Sequence, residues 1–356
     1  MKIGILTYHR AISYGAILQA IATRSFLESM GNEAYFVDYF PEYHKEKYKL
    51  FNINSLIRKN VLMSFLYLYE SISGYSVRKR RLHVFSPFVD KYIEPYCKTY
   101  DKSFDYDLIV YGSDQIWRKQ PRLGMKFNPV YFGEGICSRA KKVSFAASMG
   151  IINLNTKDKL FLKKSLSNFK KVGVRELSLV EILGSIGISA THNIDPTFLL
   201  NRNQWDTILK TRRVVDGDYV LYYKVAYGIN EAKLEKFCKQ NRLKLIKVYS
   251  YEYSNKSDFN PNPSDFVSLV KYASFVFTTS FHGLAFSLIY RKQFLVACKA
   301  NSERLTSLLK SINLQSRFVS IGVNFEDVYR QKIDYNIVEP CLETLIEKSK
   351  NFLLNN

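Results

Sequence analysis

The chain alternates short apolar segments with amphipathic ones from its first residues, and this alternation restricts its fold more than any other feature. Lys2–Thr7 is predicted to be a strand, Gly15–Met30 a helix that stops at Gly31, and Ala34–Tyr39 the next strand. A helix that crosses between two neighbouring strands of one sheet makes those strands parallel. The sequence therefore predicts an α/β fold with a mainly parallel sheet.

The same pattern continues to about residue 197. Further strands are predicted at Asp107–Gly112, Lys142–Ala147 and Lys171–Val174, and helices at Lys157–Asn168 and Glu176–Leu183. Asp195-Pro196 ends a short apolar segment, and the polar stretch Asn201–Gln204 is interpreted as the join to a second domain. The first domain is predicted to cover residues 1–197.

A second series of strands and helices follows this join. Its segments are Asp218–Tyr223, Glu231–Lys239, Lys244–Tyr249, Asp265–Tyr272, Phe275–Thr279, Gly283–Tyr290, Gln293–Ala297 and Ser302–Ile312. They predict a second doubly wound α/β domain over residues 198–338, and a last helix within residues 339–356 that would cross back to the first domain. Two such domains face a cleft, and ligands bind there at the carboxyl ends of the strands.

Residues 43–105 form a long insertion between the second and third predicted strands. It is predicted to be helical and basic, and it contains the run Arg78-Lys79-Arg80-Arg81. Two interpretations stay open: a surface for a membrane or an acidic substrate, or a solvated helix face. The longest apolar stretch of the chain, Val61–Tyr69, also lies here and is far shorter than the roughly 20 residues of a membrane span.

The composition is strongly basic. Lys and Arg number 52 against 32 Asp and Glu in 356 residues, so the net charge of +20 attracts anions. The five cysteines form neither a Cys-x-x-Cys pair nor a Cys/His cluster at metal-ligand spacing, so we expect a reducing compartment and no metal. Because the first residues lack the apolar region of a signal peptide, we expect a cytoplasmic location.

Two candidate binding segments follow predicted strands of the first domain. Gly15 allows the N-terminus of the first helix to approach an anion, or it only lets strand, turn and helix pack closely. Ser113-Asp114-Gln115 could orient a sugar, or Ser113 or Asp114 could cap a helix that begins at Gln115. Neither segment is a Gly-x-Gly-x-x-Gly fingerprint or a Walker loop.

Two further candidates follow later strands. Arg175 could bind a carboxylate or phosphate through two hydrogen bonds, or it could form a structural ion pair with Glu176 or another acid. Ser280 and His282 fall in the turn between a predicted buried strand and a helix. An imidazole there could transfer a proton near neutral pH, although a lone histidine is often structural.

Six segments, taken together, resemble those of polysaccharide pyruvyl transferases. Their order and spacing match this family along most of the chain, whereas residues 43–105 and the C-terminal tail add little. The segments are Tyr14–Gln19, Tyr111–Trp117, Ala146–Gly150, Val174–Glu176, Asp195–Thr197 and Ser280–Gly283. One departure is Ser13, which stands where many relatives have Asn before Tyr-Gly.

The resemblance implies a fold like that of GT-B glycosyltransferases, with two Rossmann-like domains that face a cleft. It implies phosphoenolpyruvate as the donor and a pair of hexose or N-acetylhexosamine hydroxyls as the acceptor. It also implies that His282 is the catalytic histidine and Arg175 a donor-binding arginine. We expect His282 to transfer a proton, while Arg175, with help from the Gly15 helix terminus or Arg304, neutralises the donor.

The remaining binding residues are expected to orient the donor or the sugar. They are Tyr14, Ser113, Asp114, Gln115 and Ser280. Formation of a pyruvate ketal needs neither a metal nor a redox cofactor, so none is expected. The acceptor would be a cell-surface polysaccharide or its precursor and could be lipid-linked, in which case the basic insertion and Val61–Tyr69 could bring the enzyme to the inner membrane surface.

Two alternative functions remain at this stage. A GT-B-type nucleotide-sugar glycosyltransferase would also have two facing α/β domains and a cationic donor site, and its donor would distinguish it. A non-catalytic anion-binding protein, for nucleic acid or a membrane, would explain the net charge of +20. No nucleic-acid-binding motif is present, so nucleic acid is not expected as a partner.

Overall fold

The computed structural model describes most of the chain. The described residues are 1–50, 72, 74–100, 105–136, 139–150, 152–226, 228–250, 259–297, 302–319 and 325–354. The stretch Val61–Tyr69 and two cysteines, Cys137 and Cys298, lie outside these ranges. Within them, no helix combines the length and hydropathy that crossing a bilayer requires.

Seven parallel strands form the first sheet, in the order β3-β2-β1-β4-β5-β6-β7. They are β1 (Lys2–Leu6), β2 (Glu33–Asp38), β3 (Cys97–Thr99), β4 (Leu108–Tyr111), β5 (Lys141–Ala147), β6 (Lys171–Val174) and β7 (Thr191–His192). In the centre, Ile3 of β1 is in register with Ala34 of β2 and Leu108 of β4. The strand order reverses between β1 and β4, which opens a crevice beyond their carboxyl ends.

Five parallel strands form the second sheet, in the order β12-β11-β10-β8-β9. They are β8 (Tyr219–Lys224), β9 (Lys244–Tyr249), β10 (Phe275–Thr278), β11 (Phe294–Ala297) and β12 (Phe318–Val319). Here the order reverses between β10 and β8, so this sheet has a crevice of its own. The predicted α/β fold with two parallel sheets is confirmed.

Helices connect the strands of both sheets. Before β8 they are α1 (Tyr14–Ser29), α2 (Glu42–Tyr48), α3 (Tyr75–Tyr92), α4 (Thr156–Leu166), α5 (Leu177–Ser185) and α6 (Arg202–Leu209). The later ones are α7 (Glu231–Gln240), α8 (Pro263–Tyr272), α9 (Phe281–Ile289), α10 (Glu303–Ser311), α11 (Phe325–Arg330) and α12 (Tyr335–Leu354). α1 is buried on most of its surface because it packs against α8 and α9 as well as against its own sheet.

One apolar core runs through both sheets, and it includes Ile5 of β1 and Leu221 of β8. The Tyr14 hydroxyl of α1 donates a hydrogen bond to the Pro261 carbonyl oxygen at 2.9 Å. The C-terminal helix α12 reaches the first sheet, where the Ser349 hydroxyl accepts a hydrogen bond from the Ile194 N–H at 2.9 Å. These contacts agree with a last helix that crosses back, while the domain limits remain a prediction.

The structure differs locally from three interpretations of the sequence. Asn201–Gln204 begins α6, because the side chains of Asn201 and Gln204 each accept a hydrogen bond from the other's backbone N–H. No helix begins at Gln115, since residues 113–118 form a turn. The basic run in α3 is not uniformly solvated: Lys79 and Arg80 are exposed, but Arg81 is buried.

The common core predicts a sharp contrast between two leucines. Leu221 is fully buried in β8, whereas Leu160 of α4 is 64% exposed. We expect Leu221→Ala to lower the free energy of unfolding by about 2–5 kcal/mol, because it leaves a cavity, and Leu160→Ala to change it by less than about 0.5 kcal/mol. Urea unfolding followed by circular dichroism tests this. Equal losses in the two variants would contradict the described packing.

Candidate active site

A cavity of about 570 Å³ lies where the crevices of the two sheets meet. Residues that follow β1 and β4 line it from the first sheet, and residues that follow β8 and β10 line it from the second. Because parallel strands end at the same edge, residues far apart in sequence converge here. The cavity is therefore the candidate active site.

The structure brings six of the nine predicted site residues to the cavity wall. They are Gly15, Asp114, Gln115, Ser280, His282 and Arg304. Tyr14, Ser113 and Arg175 are not among the lining residues and lie behind them. The Ser113 hydroxyl donates a hydrogen bond to the Ala146 carbonyl oxygen at 2.9 Å, and the Tyr14 ring stacks on Phe266 with ring centroids 4.4 Å apart.

His282 lies in the first turn of α9, after the N-cap residue Ser280. A Cβ atom on Gly15 would be 1.9 Å from His282 Nδ1, so only glycine lets the imidazole pack against the first turn of α1. The other ring nitrogen, Nε2, is 3.6 Å from Asp195 Oδ2. The imidazole is thus held between the α1 backbone and a carboxylate.

Asp195 is fully buried and connects the surrounding side chains. Its Oδ1 accepts hydrogen bonds from the backbone N–H and hydroxyl of Thr197, and its Oδ2 accepts them from Arg175 and from the Ser113 hydroxyl. Burial raises the pKa of Asp195, but the charges of His282 and Arg175 outweigh it and hold that pKa well below the usual range. The Asp195 carboxylate is therefore ionised at neutral pH and faces the imidazole of His282.

Asp195 belongs to one of the six segments that resemble the family, but the sequence indicated no role for it. The signal was an acidic residue at the end of a short apolar segment, next to proline. For Arg175, the sequence left open an ion pair with Glu176 or another acid, and the structure identifies this partner as Asp195. Glu176 instead accepts hydrogen bonds from the Ser148 hydroxyl and the Gly150 N–H.

Two arginines near His282 keep hydrogen-bond donors available. Arg175 is 3% exposed, and its Nε and Nη2 have no hydrogen-bond partner among the described residues. Its Nη2 is 3.8 Å from Asp114 Oδ1, too far for a hydrogen bond. Burial and the nearby charge of Arg175 lower the pKa of Arg304 to about 10, so Arg304 stays charged at neutral pH. This corner can bind an anion.

The insertion, for which the sequence left open a surface for a membrane or an acidic substrate, also contributes to the cavity wall. Tyr43, His44 and Lys47 of α2 line the cavity. The Arg122 guanidinium donates hydrogen bonds to the Tyr43 carbonyl oxygen and to Glu46, which joins α2 to the loop after β4. Cations outnumber acids in the described wall, where Lys47, Arg81, Arg118, Arg122 and Arg304 face the single carboxylate of Asp114. The wall therefore favours anionic ligands.

A possible ligand set for a metal lies away from this cavity. Ligand atoms of His9, Asp38 and Cys97 are all within 4.8 Å of one another, although these residues are distant in sequence. The Arg10 guanidinium already pairs with Asp38 and with Glu94, so a fixed positive charge occupies this cluster. The arrangement is explained by ion pairing, and we assign no metal to it.

The comparison with protein families agrees with the arrangement of the cavity. The profile described as "Polysaccharide pyruvyl transferase" matches residues 14–297, well over half of the chain. This chain belongs to the polysaccharide pyruvyl transferase family. The matched region begins with α1 and ends with β11, so it covers every predicted site residue except Arg304, while β1 and the lining residues between β1 and α1 precede it.

Solved structures of sugar-modifying enzymes are similar at low identity. UDP-N-acetylglucosamine 2-epimerase from Rickettsia bellii is 10% identical, with a TM-score of 0.47 over 99% of this chain and 94% of that chain. The enzyme of the same name from Methanocaldococcus jannaschii is 11% identical, with a TM-score of 0.45 over 98% and 94%. The SsfS6 glycosyltransferase of Streptomyces sp. SF2575 is 11% identical, with a TM-score of 0.36 over 99% and 96%. No match was found among curated protein sequences.

The contact between Gly15 and His282 leads to a prediction about stability. We expect Gly15→Ala to lower the free energy of unfolding by about 1–3 kcal/mol, because the new methyl group would overlap the imidazole. Gly184→Ala in α5 is the matched control, since nothing lies within 4 Å of its added Cβ. It should be neutral or stabilise by up to about 1 kcal/mol. Urea unfolding measures both, and a harmless Gly15→Ala would contradict the described contact.

His44 leads to a prediction about pH. Burial and the charges of Lys47 and Arg122 lower its pKa to about 4, against the partial opposition of Asp114. As the pH falls from about 6.5 to 4, the unfolded chain binds this proton first, so the folded state loses stability in that window. We expect wild type to lose about 2 kcal/mol more than His44→Gln between pH 7 and pH 4.

Chemical unfolding of the two proteins across this pH range makes the measurement. His83→Gln is the control, because His83 is exposed on α3 and should leave the wild-type pH profile unchanged. Identical profiles for wild type and His44→Gln would show that His44 is not held neutral by its surroundings.

Proposed function

We propose that this protein transfers the enolpyruvyl unit of phosphoenolpyruvate to two hydroxyls of one sugar, forming a pyruvate ketal. The observation that carries the proposal is the position of His282, between the buried Asp195 carboxylate and the first turn of α1, in a cavity whose wall carries more cations than carboxylates. Membership of the polysaccharide pyruvyl transferase family supports the same chemistry.

The proposed reaction joins one donor to two hydroxyl groups. The methylene carbon of phosphoenolpyruvate takes up a proton and becomes a methyl group. Both sugar oxygens bond to the adjacent carbon, the bond from that carbon to the phosphate oxygen breaks, and phosphate leaves. Of the two hydroxyl protons, one balances the proton that carbon gains and the other leaves with phosphate or solvent.

In this proposal His282 supplies the proton to the methylene carbon. Asp195 stabilises the imidazolium from the Nε2 side, and Nδ1 lies on the side of Gly15, which lines the cavity. After it has lost its proton, the imidazole can accept one from a sugar hydroxyl. A histidine suits both steps because its ordinary pKa is close to neutral pH.

The donor carries a carboxylate and a phosphate, and the proposal assigns both to the corner near His282. Arg175 and Arg304 offer charged donors there, and the Ser13 side chain makes no capping hydrogen bond to the first-turn N–H groups of α1. Asp114, Gln115 and Ser280 would orient donor or sugar from the wall. Tyr14 and Ser113 would support these groups from behind.

We propose a cell-surface polysaccharide, or its precursor, as the acceptor. The cytoplasm, with peripheral contact at the inner membrane if the acceptor is lipid-linked, is the proposed location. The free thiols of Cys97, Cys238 and Cys341 are compatible with a reducing compartment. The reaction as proposed needs no resident cofactor, and phosphoenolpyruvate acts as a substrate.

Phosphate release from phosphoenolpyruvate tests this function. We expect wild type to release phosphate only with a suitable sugar acceptor, and His282→Asn to be slower by about 100-fold to 10,000-fold because it cannot transfer a proton. His83→Asn, on the exposed face of α3, should keep wild-type activity. A colorimetric phosphate assay with a panel of acceptors makes the measurement.

The same panel distinguishes the alternative function. Each acceptor is also offered with UDP-sugars in place of phosphoenolpyruvate. Sugar transfer from a UDP-sugar, without any release of phosphate from phosphoenolpyruvate, would favour a glycosyltransferase. Full activity in a folded His282→Asn would contradict the assigned role of the histidine.

A further inference from the structure

The basic run of α3 contains one residue that behaves unlike its neighbours. Lys79 and Arg80 are exposed to solvent, whereas Arg81 is only 1% exposed and lines the active-site cavity. The buried face of α3 carries Arg81, Phe85 and Phe88, which are four and three residues apart in sequence and therefore lie on one side of the helix. α3 thus carries a guanidinium from the insertion into the cavity.

Arg81 has no acidic partner in the described part of the chain. Its Nη1 donates a hydrogen bond to the Tyr249 carbonyl oxygen at 2.6 Å, and its guanidinium lies over the ring of Tyr14, 4.7 Å from the centroid. Its Nε has no hydrogen-bond partner among the described residues. A buried charge without a counter-charge is unfavourable, so a site that keeps one is suited to a negatively charged ligand.

The position of Arg81 separates it from the groups assigned to the donor. Arg175 pairs with Asp195, whose carboxylate lies 3.6 Å from His282 Nε2. Arg81 instead donates its hydrogen bond to the Tyr249 carbonyl oxygen at the end of β9, on the side of the cavity where Tyr223 and Ser250 line the wall. The two anionic groups of phosphoenolpyruvate already have partners at the His282 corner, so Arg81 is left for the other substrate.

We propose that Arg81 binds an anionic group carried by the sugar acceptor, either a phosphate or a carboxylate. This proposal rests on the proposed function and adds that the acceptor is acidic. Arg81 contacts Tyr14 and His282 packs against the next residue, Gly15, so both act at the first turn of α1. An acceptor held by its anionic group at Arg81 would extend its hydroxyls toward the histidine.

Acceptor kinetics test the proposal with three variants. Arg81→Met removes the charge, Arg81→Lys retains it without the planar fork, and Arg80→Met removes an exposed neighbouring charge as the control. The acceptors are one N-acetylhexosamine presented as an uncharged methyl glycoside, as a UDP ester, as a polyprenyl diphosphate, and in a disaccharide with a uronic acid. Thermal unfolding checks that each variant is folded.

We expect Arg81→Met to raise the KM for acidic acceptors by about 10-fold to 100-fold, the value of one hydrogen-bonded charge pair. The KM of Arg81→Lys for these acceptors should lie between those of wild type and Arg81→Met. The KM for phosphoenolpyruvate should not change in any variant, and Arg80→Met should keep the wild-type KM for the acceptors. The phosphate and uronate acceptors show which anion is used. An equal loss with the uncharged glycoside, or a change confined to the KM for phosphoenolpyruvate, would overturn the proposal.

Direct binding separates this proposal from the proposed function. Calorimetric titration of wild type and Arg81→Met with the UDP ester and the uronate disaccharide needs no turnover. Binding that is lost in Arg81→Met supports an acidic acceptor site even if phosphoenolpyruvate is not the donor. Failure of wild type to bind any acidic probe would overturn the acceptor proposal, whatever the phosphate assay shows.

Discussion

The buried carboxylate of Asp195 is the contact on which the candidate site depends. It accepts hydrogen bonds from Arg175 at the end of β6 and from Ser113 after β4, and it lies 3.6 Å from His282 of α9, which follows β10 of the second sheet. A buried charge is stable only when it is paired and hydrogen-bonded, so each partner constrains the others. The contacts with Arg175, Ser113 and His282 offset the cost of burying Asp195. They also join the crevices of the two sheets and orient the imidazole.

The first turn of α1 is the second constraint, because several functional groups meet there. His282 packs against Gly15, and Arg81 lies over the ring of Tyr14. The Tyr14 ring also stacks on Phe266 of α8. Close approach of His282 requires a residue without a side chain at position 15, and the ring of Tyr14 just before it contacts Arg81 and Phe266. The pair Tyr14-Gly15 therefore packs the two halves together and also borders the candidate site.

Much of the fold could be predicted from periodicity alone, and the misses have physical reasons. β6 and β9 have their predicted bounds, since apolar residues such as Val172, Val174, Ile246 and Val248 recur at every second position in them. β7 contains two residues, too few to show a period. α6 was missed because Asn201–Gln204 looked like a polar linker, although Asn and Gln at that spacing form a capping box. Placement at strand ends was predictable for His282, which lines the cavity, and for Arg175, which lies behind its wall.

The sequence by itself determined the two α/β sheets, the family and the strand-end residues His282 and Arg175, because each is encoded by local pattern or by motifs in order. Only the tertiary structure decided which groups meet. Ser113 and Asp195 are 82 residues apart, and Arg81 and the Tyr249 carbonyl are 168 apart. Contacts of this range depend on strand order and helix packing, and these arise from the burial of the whole core. A local pattern cannot show whether an arginine faces solvent or a cavity. The packing of α3 against the rest of the structure places Arg81 in the cavity wall.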